Sequence, residues 1–183
     1  MAEGAGVLLL ERLADARARG ARVYGEIAGY GLTNDAHHMS APRPDATMNA
    51  AAMQRALDEA GIASDEVDVV NAHGSATPAG DACEAHALEL VFGERAAGVP
   101  VTATKGQHGH ALGATGAWEA ALSLLAIAHR IVPRSVNTDD ADPQCALALT
   151  HQRVERAATR TVLSNSAGFG GINAALVFRA LDA

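Results

Sequence analysis

Apolar residues along the chain follow two alternating periods, one typical of strands and one typical of helices. Short apolar runs predict strands at residues 6–11, 21–31, 67–72, 99–104, 146–150, 161–166 and 174–180. Apolar positions three and four residues apart predict helices at about residues 12–20, 45–60, 80–92 and 113–130. Strands that alternate with helices of this length indicate an α/β layered sheet.

The chain shows no linker, repeat or low-complexity segment that would divide it. Pro42 and Pro44 predict a loop between the second strand and the second helix, because proline cannot donate to regular pairing. With 183 residues, the chain is long enough to bury a core of its own. We therefore expect a single domain over residues 1–183, with a core of aliphatic side chains since only 3% of residues are aromatic.

The charge of the chain argues against nucleic acid as a partner. The formal net charge is −7 and the pI is about 5.5, so no basic surface is available for a phosphate backbone. Ser123, His129 and Arg130 interrupt the apolar stretch of residues 120–132, which falls short of the ~20 residues of a membrane span. Residues 1–4, MAEG, do not form a basic n-region, and two cysteines do not make a disulfide framework. We expect a cytoplasmic protein without a membrane partner.

The first motif that carries chemistry lies at residues 71–78, which read NAHGSATP. It stands where a predicted strand runs into a loop before a helix, a common position for catalytic groups in open α/β sheets. A single histidine at such a place is more often a structural residue than a functional one. Small hydroxyl donors beside the titratable ring of His73 favour the functional interpretation.

The second motif, TKGQHGHALGATGA at residues 104–117, also follows a strand and opens a helix. Its glycines allow a ligand to approach the backbone, but the lysine precedes them, so the order is wrong for a phosphate-binding P-loop. His108 with His110, or His37 with His38, would be candidate metal pairs. Neither pair has a cysteine or carboxylate at ligand spacing, so we expect no metal site.

The third motif, SNSAGFGGIN at residues 164–173, separates the last two predicted strands. A glycine-rich hairpin connection explains it without any function. Alternatively, the ring of Phe169, flanked by Gly168 and Gly170 on a flexible backbone, would serve as a gate.

The order of these three motifs resembles the C-terminal signatures of elongating β-ketoacyl-[acyl carrier protein] synthases, including the ketosynthases of polyketide assembly. Residues 4–31 and 35–42 are also similar to the segments that precede those signatures, so the resemblance covers nearly the whole chain. It implies a thiolase-like α/β fold, of which this chain forms the C-terminal half, with a mixed sheet and packed helices. It also implies decarboxylative Claisen condensation of acyl and malonyl thioesters, an acyltransferase reaction of fatty-acid or polyketide biosynthesis.

The resemblance assigns four catalytic residues. His73 and His110 match the family's two active-site histidines, which present N–H donors where negative charge develops. Lys105 matches the family's lysine, and Glu84 matches the glutamate that pairs with it. No cofactor is implied, since the substrates are carried on the phosphopantetheine of acyl carrier protein.

Four further residues match binding or gating positions. Phe169 matches the gating phenylalanine, whose backbone N–H contributes to the oxyanion hole. Ser75 and Thr77 match hydroxyl residues that contact the phosphopantetheine arm, and Ser40 is a third candidate. The sequence departs from the family pattern at Ala167 and Ile172, and these changes bear on the shape of the acyl pocket.

The resemblance places the nucleophilic cysteine of the family in an N-terminal half. Neither Cys83 nor Cys145 lies in a nucleophile-elbow context, so we expect both to be structural and the chain alone to be inactive. The implied partners are an N-terminal ketosynthase half, acyl carrier protein and a second such pair in a homodimer. Two alternatives are a non-catalytic subunit resembling a chain-length factor and a thiolase-type acyltransferase.

Overall fold

A computed structural model describes residues 1–140, 142–143, 145–150, 155–156 and 158–181, so the predicted single domain of residues 1–183 includes residues outside these ranges. The helices are α1 (Leu13–Ala18), α2 (Thr47–Ala60), α3 (Pro78–Phe92), α4 (Lys105–His108) and α5 (Thr115–His129). The strands are β1 (Glu26–Asn34), β2 (Val69–Asn71), β3 (Pro100–Thr102), β4 (Ile131–Val132), β5 (Ala148–Leu149), β6 (Glu155–Arg156), β7 (Thr161–Gly168) and β8 (Ile172–Arg179).

Six strands form a mixed sheet in the order β1-β8-β7-β2-β3-β5, and β4 pairs with β6 separately. Strands β7, β2, β3 and β5 run parallel, whereas β8 is antiparallel to both β7 and β1. Consecutive residues point to opposite faces of a strand, so Val69 and Val70 belong to different cores. Helices α2 and α3 cover one face of the sheet and α5 covers the other. The predicted α/β layered class is therefore confirmed.

The strand predicted at residues 6–11 is wrong. This segment is irregular, and Val7, Leu9 and Leu10 are largely exposed, because no strand of the described chain pairs with it. The second predicted strand begins later than expected, at Glu26. Helix α4 was not predicted, since a single turn carries no periodic signal.

Glycine allows β1 and α2 to pack in direct contact. A Cβ atom on Gly31 would lie 1.9 Å from the backbone oxygen of Ala52, and one on Gly29 would lie 2.2 Å from that of Ala56. Both neighbours are helix backbone atoms and cannot move aside independently. The short separation brings the first turn of α2 within reach of the end of the sheet.

Replacing Gly31 with alanine is therefore expected to destabilise the protein. Overpacking of this kind typically costs about 1–3 kcal/mol in the free energy of unfolding. Gly116→Ala is the matched control, because nothing lies within 4 Å of the added methyl group and alanine favours the helix. Urea titration of both variants should show a loss for Gly31→Ala and no loss for Gly116→Ala. Equal stability of the Gly31→Ala and Gly116→Ala variants would show that the contact between α2 and β1 has room for the added methyl group.

Candidate active site

The residues selected from the sequence motifs all lie at one edge of the sheet. Strands β1, β2, β3 and β7 run in the same direction, so their carboxyl ends meet there. His73 follows β2, and Lys105 and His110 follow β3. Phe169 follows β7, and Ser40 lies in the loop after β1. The fold thus brings side chains from four separate loops to the same edge of the sheet.

Glu84 fixes the loop that carries His73. The backbone N–H groups of His73 and Gly74 donate to its two carboxylate oxygens, at 2.7 and 2.9 Å, and Asn165 donates to the same carboxylate at 2.7 Å. Gly74 has a φ of +45°, and a Cβ atom there would lie 2.6 Å from the Cβ of Ala103. Burial raises the pKa of Glu84, although these three donors oppose the shift. Glu84 is therefore a buried acceptor that shapes the loop.

Lys105 pairs with Glu119, and not with Glu84 as the resemblance implies. Its ammonium group donates to the carboxylate of Glu119 and to the backbone oxygen of His73. The two charged side chains are 5% and 1% exposed, so the ion pair is buried. Burial raises the pKa of Glu119 to about 7, and the ammonium of Lys105 opposes that rise. The carboxylate of Glu84 already accepts from three N–H donors, so Lys105 pairs with Glu119 instead.

The rings of His73 and His110 lie edge to face. Their centroids are 5.5 Å apart and the ring planes meet at 84°. The hydroxyl oxygen of Thr115 accepts from the N–H of Ala111 at 2.9 Å and lies 3.1 Å from Nδ1 of His110. This arrangement favours a hydroxyl that donates to Nδ1, which leaves the ring proton of His110 on Nε2.

Both histidines are held neutral. Burial, the Lys105 ammonium and the His110 ring lower the pKa of His73 to about 4. Burial and Lys105 also lower the pKa of His110. A neutral imidazole keeps one N–H donor, so each ring can donate to an oxygen without first taking up a proton.

The gating and binding candidates lie on the exposed rim of this edge. Phe169 is 78% exposed at the turn between β7 and β8, and the neighbouring Gly170 N–H donates to the backbone oxygen of Met39 at 2.8 Å. This contact joins the turn to the loop that contains Ser40. Thr77 caps α3 by accepting from the N–H of Gly80 at 3.2 Å, and its hydroxyl lies 3.2 Å from that of Ser75.

Sequence reasoning missed Glu119 and the asparagines near Glu84. A signal for Glu119 was present, because it is the one charged side chain between Lys105 and Arg130 in an otherwise apolar helix. Lys105 is also the only lysine of the chain. Asn165 lies inside the third motif, but nothing local distinguishes its buried side chain from a turn residue.

Neither cysteine has the environment of a nucleophile. The Cys83 thiol donates to the backbone oxygen of Arg43 at 3.3 Å, and burial raises its pKa to about 11. Burial also raises the pKa of Cys145, and nearby Asp142 adds to the rise. A thiol that stays protonated is a poor nucleophile, so both residues fit a structural role.

The chain belongs to the family described as "Beta-ketoacyl synthase, C-terminal domain", which matches residues 24–139. It is 45% identical over 183 residues to 3-oxoacyl-[acyl-carrier-protein] synthase 2 of Staphylococcus aureus strain COL, covering 100% of this chain and 44% of that protein. It is 44% identical over 184 residues to the mitochondrial 3-oxoacyl-[acyl-carrier-protein] synthase of Arabidopsis thaliana, covering 98% of this chain and 40% of that one. The chain therefore spans less than half the length of these relatives.

Solved ketosynthase structures share the fold. The chain superposes with a TM-score of 0.91 and 36% identity on a structure titled as a type II PKS acyl-carrier protein in complex with its ketosynthase, covering 94% of this chain and 42% of that one. A β-ketoacyl synthase from Burkholderia phymatum STM815 matches with a TM-score of 0.88 and 36% identity, covering 94% and 41%. These structures confirm the thiolase-like ketosynthase fold. Over the residues that the structure describes, no helix is long and apolar enough to cross a membrane.

Proposed function

We propose that this chain supplies the decarboxylation part of a β-ketoacyl-[acyl carrier protein] synthase active site. The observation that carries the proposal is the pair of neutral histidines, His73 and His110, with ring centroids 5.5 Å apart beside the buried Lys105–Glu119 pair. Two neighbouring imidazole rings, each with an N–H donor, suit the stabilisation of an oxygen that gains negative charge. The enzyme acts in the cytoplasm as an acyltransferase of fatty-acid or polyketide biosynthesis.

The reaction begins with the malonyl thioester. The bond from its central carbon to the carboxylate breaks, carbon dioxide leaves, and the electron pair passes into the thioester carbonyl as an enolate. His73 and His110 donate to the enolate oxygen. The enolate carbon then attacks an acyl thioester on the cysteine of an N-terminal half, a carbon–carbon bond forms, and the cysteine thiolate leaves.

The Lys105–Glu119 pair acts on this step through position and charge. Lys105 donates to the backbone oxygen of His73 and so holds the loop on which that histidine lies. Its positive charge also keeps the pKa of both histidines low, as described above. Lys105 and Glu84 therefore both hold the backbone of the loop that carries His73.

The rim residues complete the proposed site. Ser75, Thr77 and Ser40 are candidate contacts for the phosphopantetheine arm of acyl carrier protein, and their hydroxyls lie at the entrance edge. Phe169 acts as the gate, because its ring is exposed on a turn of three residues. No cofactor or metal is needed for this chemistry.

An N-terminal ketosynthase half is the proposed partner of the exposed apolar surface. A groove of about 770 Å³ lies between the N-terminal segment and α5, and residues such as Leu10, Tyr24 and Leu125 line it. Val7 and Leu9 also line it, and they are 95% and 79% exposed. Apolar surface of this extent usually marks a contact with another domain or protein. Two such pairs are expected to form a homodimer.

A non-catalytic role resembling that of a chain-length factor is the second candidate. One solved structure that this chain matches, at 38% identity, is titled as the ishigamide ketosynthase/chain length factor. The buried Lys105–Glu119 pair disfavours this role, because a pure scaffold does not require a desolvated charge pair. His73→Ala in the reconstituted enzyme separates the two roles, since a scaffold subunit would leave decarboxylation insensitive to loss of His73.

Reconstitution with an N-terminal half tests the proposal. The chain alone is expected to give no condensation product from acyl and malonyl thioesters, because covalent catalysis needs an acylated nucleophile. Adding an N-terminal half of a related synthase is expected to restore product. Product formation by the chain alone would contradict the proposal.

The exposed apolar surface also predicts self-association. Because a patch larger than roughly several hundred Å² is rarely exposed on a stable monomer, the isolated chain is expected to form oligomers or to unfold at low denaturant. Sedimentation velocity should show species larger than the 18.7 kDa chain. Coexpression with the N-terminal half is expected to give one discrete complex. A cooperative monomer would contradict this prediction.

A further inference from the structure

A chain of buried polar side chains connects the Phe169 turn to the His73 loop. Its members lie on five different elements or loops, and each is at most 7% exposed: Asp35, Asn173, Asn49, Asn165 and Glu84. Asn173 donates to Asp35 at 2.7 Å, and Asn165 donates to Glu84 at 2.7 Å. Buried polar groups are costly unless they are paired, and among the side-chain atoms of these five described residues only Oδ1 of Asn165 lacks a partner, so their arrangement is specific.

Asn49 is the link between the two ends of this chain. Its Nδ2 donates to Oδ1 of Asn173 at 3.0 Å, and its Oδ1 accepts from Nδ2 of Asn165 at 3.2 Å. Among the side chains of the described residues, Asn49 alone hydrogen-bonds to both of these asparagines. The close packing of α2 on β1 brings it there, because Asn49 lies in the first turn of α2.

Each end of the chain holds backbone of the proposed site. At one end, Asp35 accepts from the Arg43 N–H at 3.0 Å and donates its own N–H to the Gly171 oxygen at 2.8 Å, next to Phe169. At the other end, Glu84 accepts from the N–H groups of His73 and Gly74. A shift of either segment therefore strains the same set of hydrogen bonds.

We propose that Asn49 is a positioning residue that couples the conformation of the Phe169 turn to that of the His73 loop. Its side-chain amide donates to Asn173 on one side of the network and accepts from Asn165 on the other. Displacement of the turn withdraws Asn173 from Asn49 and weakens the support of Asn165 on Glu84. The catalytic meaning of this coupling rests on the function proposed above, whereas the coupling itself is a property of this chain.

Hydrogen exchange measured by mass spectrometry on the full 183-residue chain tests the coupling without turnover. Asn49→Ala is expected to accelerate exchange on the order of tenfold both in the turn and at Gly74, because it leaves buried partners unpaired. Gln54→Ala is the control on the same helix, since Gln54 is exposed and bonds only Asp58 within α2 at 2.8 Å. An unchanged rate at Gly74 in Asn49→Ala would overturn the proposal.

Two further variants keep the test decisive if Asn49→Ala folds poorly. Asn49→Asp retains the acceptor for Asn165 but cannot donate to Asn173, so, like Asn173→Ala, it should accelerate exchange both in the turn and at Gly74. Asn173→Ala should accelerate Gly74 when Asn49 is present and should add nothing in the Asn49→Asp background, where the bond between the two residues is already lost. Equal effects of Asn173→Ala in both backgrounds would overturn the proposal. Loss of condensation activity alone would bear on the proposed function and not on this result.

Discussion

His73→Ala and His110→Ala are expected to suppress decarboxylation of malonyl thioester in the reconstituted enzyme while leaving acylation of the N-terminal half largely intact. Removing one donor to a developing oxyanion typically costs on the order of a hundredfold to a thousandfold in rate. The pKa of His73 near 4 means that its ring is already a neutral donor at pH 7. Release of carbon dioxide and the mass of the acylated partner measure the two steps separately.

His86→Ala is the control for these substitutions, because His86 is an exposed histidine on α3. It should decarboxylate at the parental rate. Protonation of His73 should not slow the parental enzyme as the pH falls from 8 to 5.5. This ring gains a proton only near pH 4. Parental rates in both alanine variants would show that the histidines do not carry the decarboxylation.

Lys105→Met is expected to destabilise the chain more than any surface substitution. Removing one partner of a buried ion pair leaves the other charge without compensation and typically costs about 3–5 kcal/mol. Without Lys105, the pKa of Glu119 rises further above that of an unfolded carboxyl group. The folded variant then keeps this proton to a higher pH than the folded parent does, so the loss of stability relative to the parent grows as the pH rises above about 7.

Urea titration monitored by the single tryptophan, Trp118, measures this change at a fixed protein concentration. The double variant Lys105→Met/Glu119→Leu should recover much of the lost stability, since it removes the uncompensated charge. Arg12→Met removes an exposed pair with Asp15, whose side chains are 87% and 56% exposed, and should leave the midpoint unchanged. If Lys105→Met proved as stable as Arg12→Met, this result would contradict the burial of the Lys105–Glu119 ion pair.

Local periodicity was sufficient for most of the fold. Helices α2, α3 and α5 and strands β1, β2, β3, β5, β7 and β8 coincide with predicted elements, because their apolar spacing matches the faces that they bury. The segment of residues 6–11 has the composition of a strand but pairs with no strand among the residues that the structure describes. Strand pairing is a long-range property, and an apolar run alone does not report it.

The sequence predicted those site residues that lie in a motif. It did not predict those whose role depends on a tertiary contact. His73, His110 and Lys105 stand in glycine-rich segments after strands, so their types and positions were informative. The partner of Lys105 was assigned wrongly, because Glu84 and Glu119 both lie on helices after these loops and only packing decides which one is reached. Asn49 has no local signal, since its partners are 116 and 124 residues away in sequence.

The position of the acyl group in the reconstituted enzyme tests the central claim most directly. The complex would be incubated with an acyl thioester in the absence of malonyl thioester, and the intact mass of each chain would be measured. We predict that the N-terminal half gains one acyl group and that this chain keeps its own mass, because the raised pKa values of Cys83 and Cys145 keep both thiols protonated. Acylation of Cys83 or Cys145 in this chain would contradict the assignment of the nucleophile to the partner and, with it, the division of the active site between two halves.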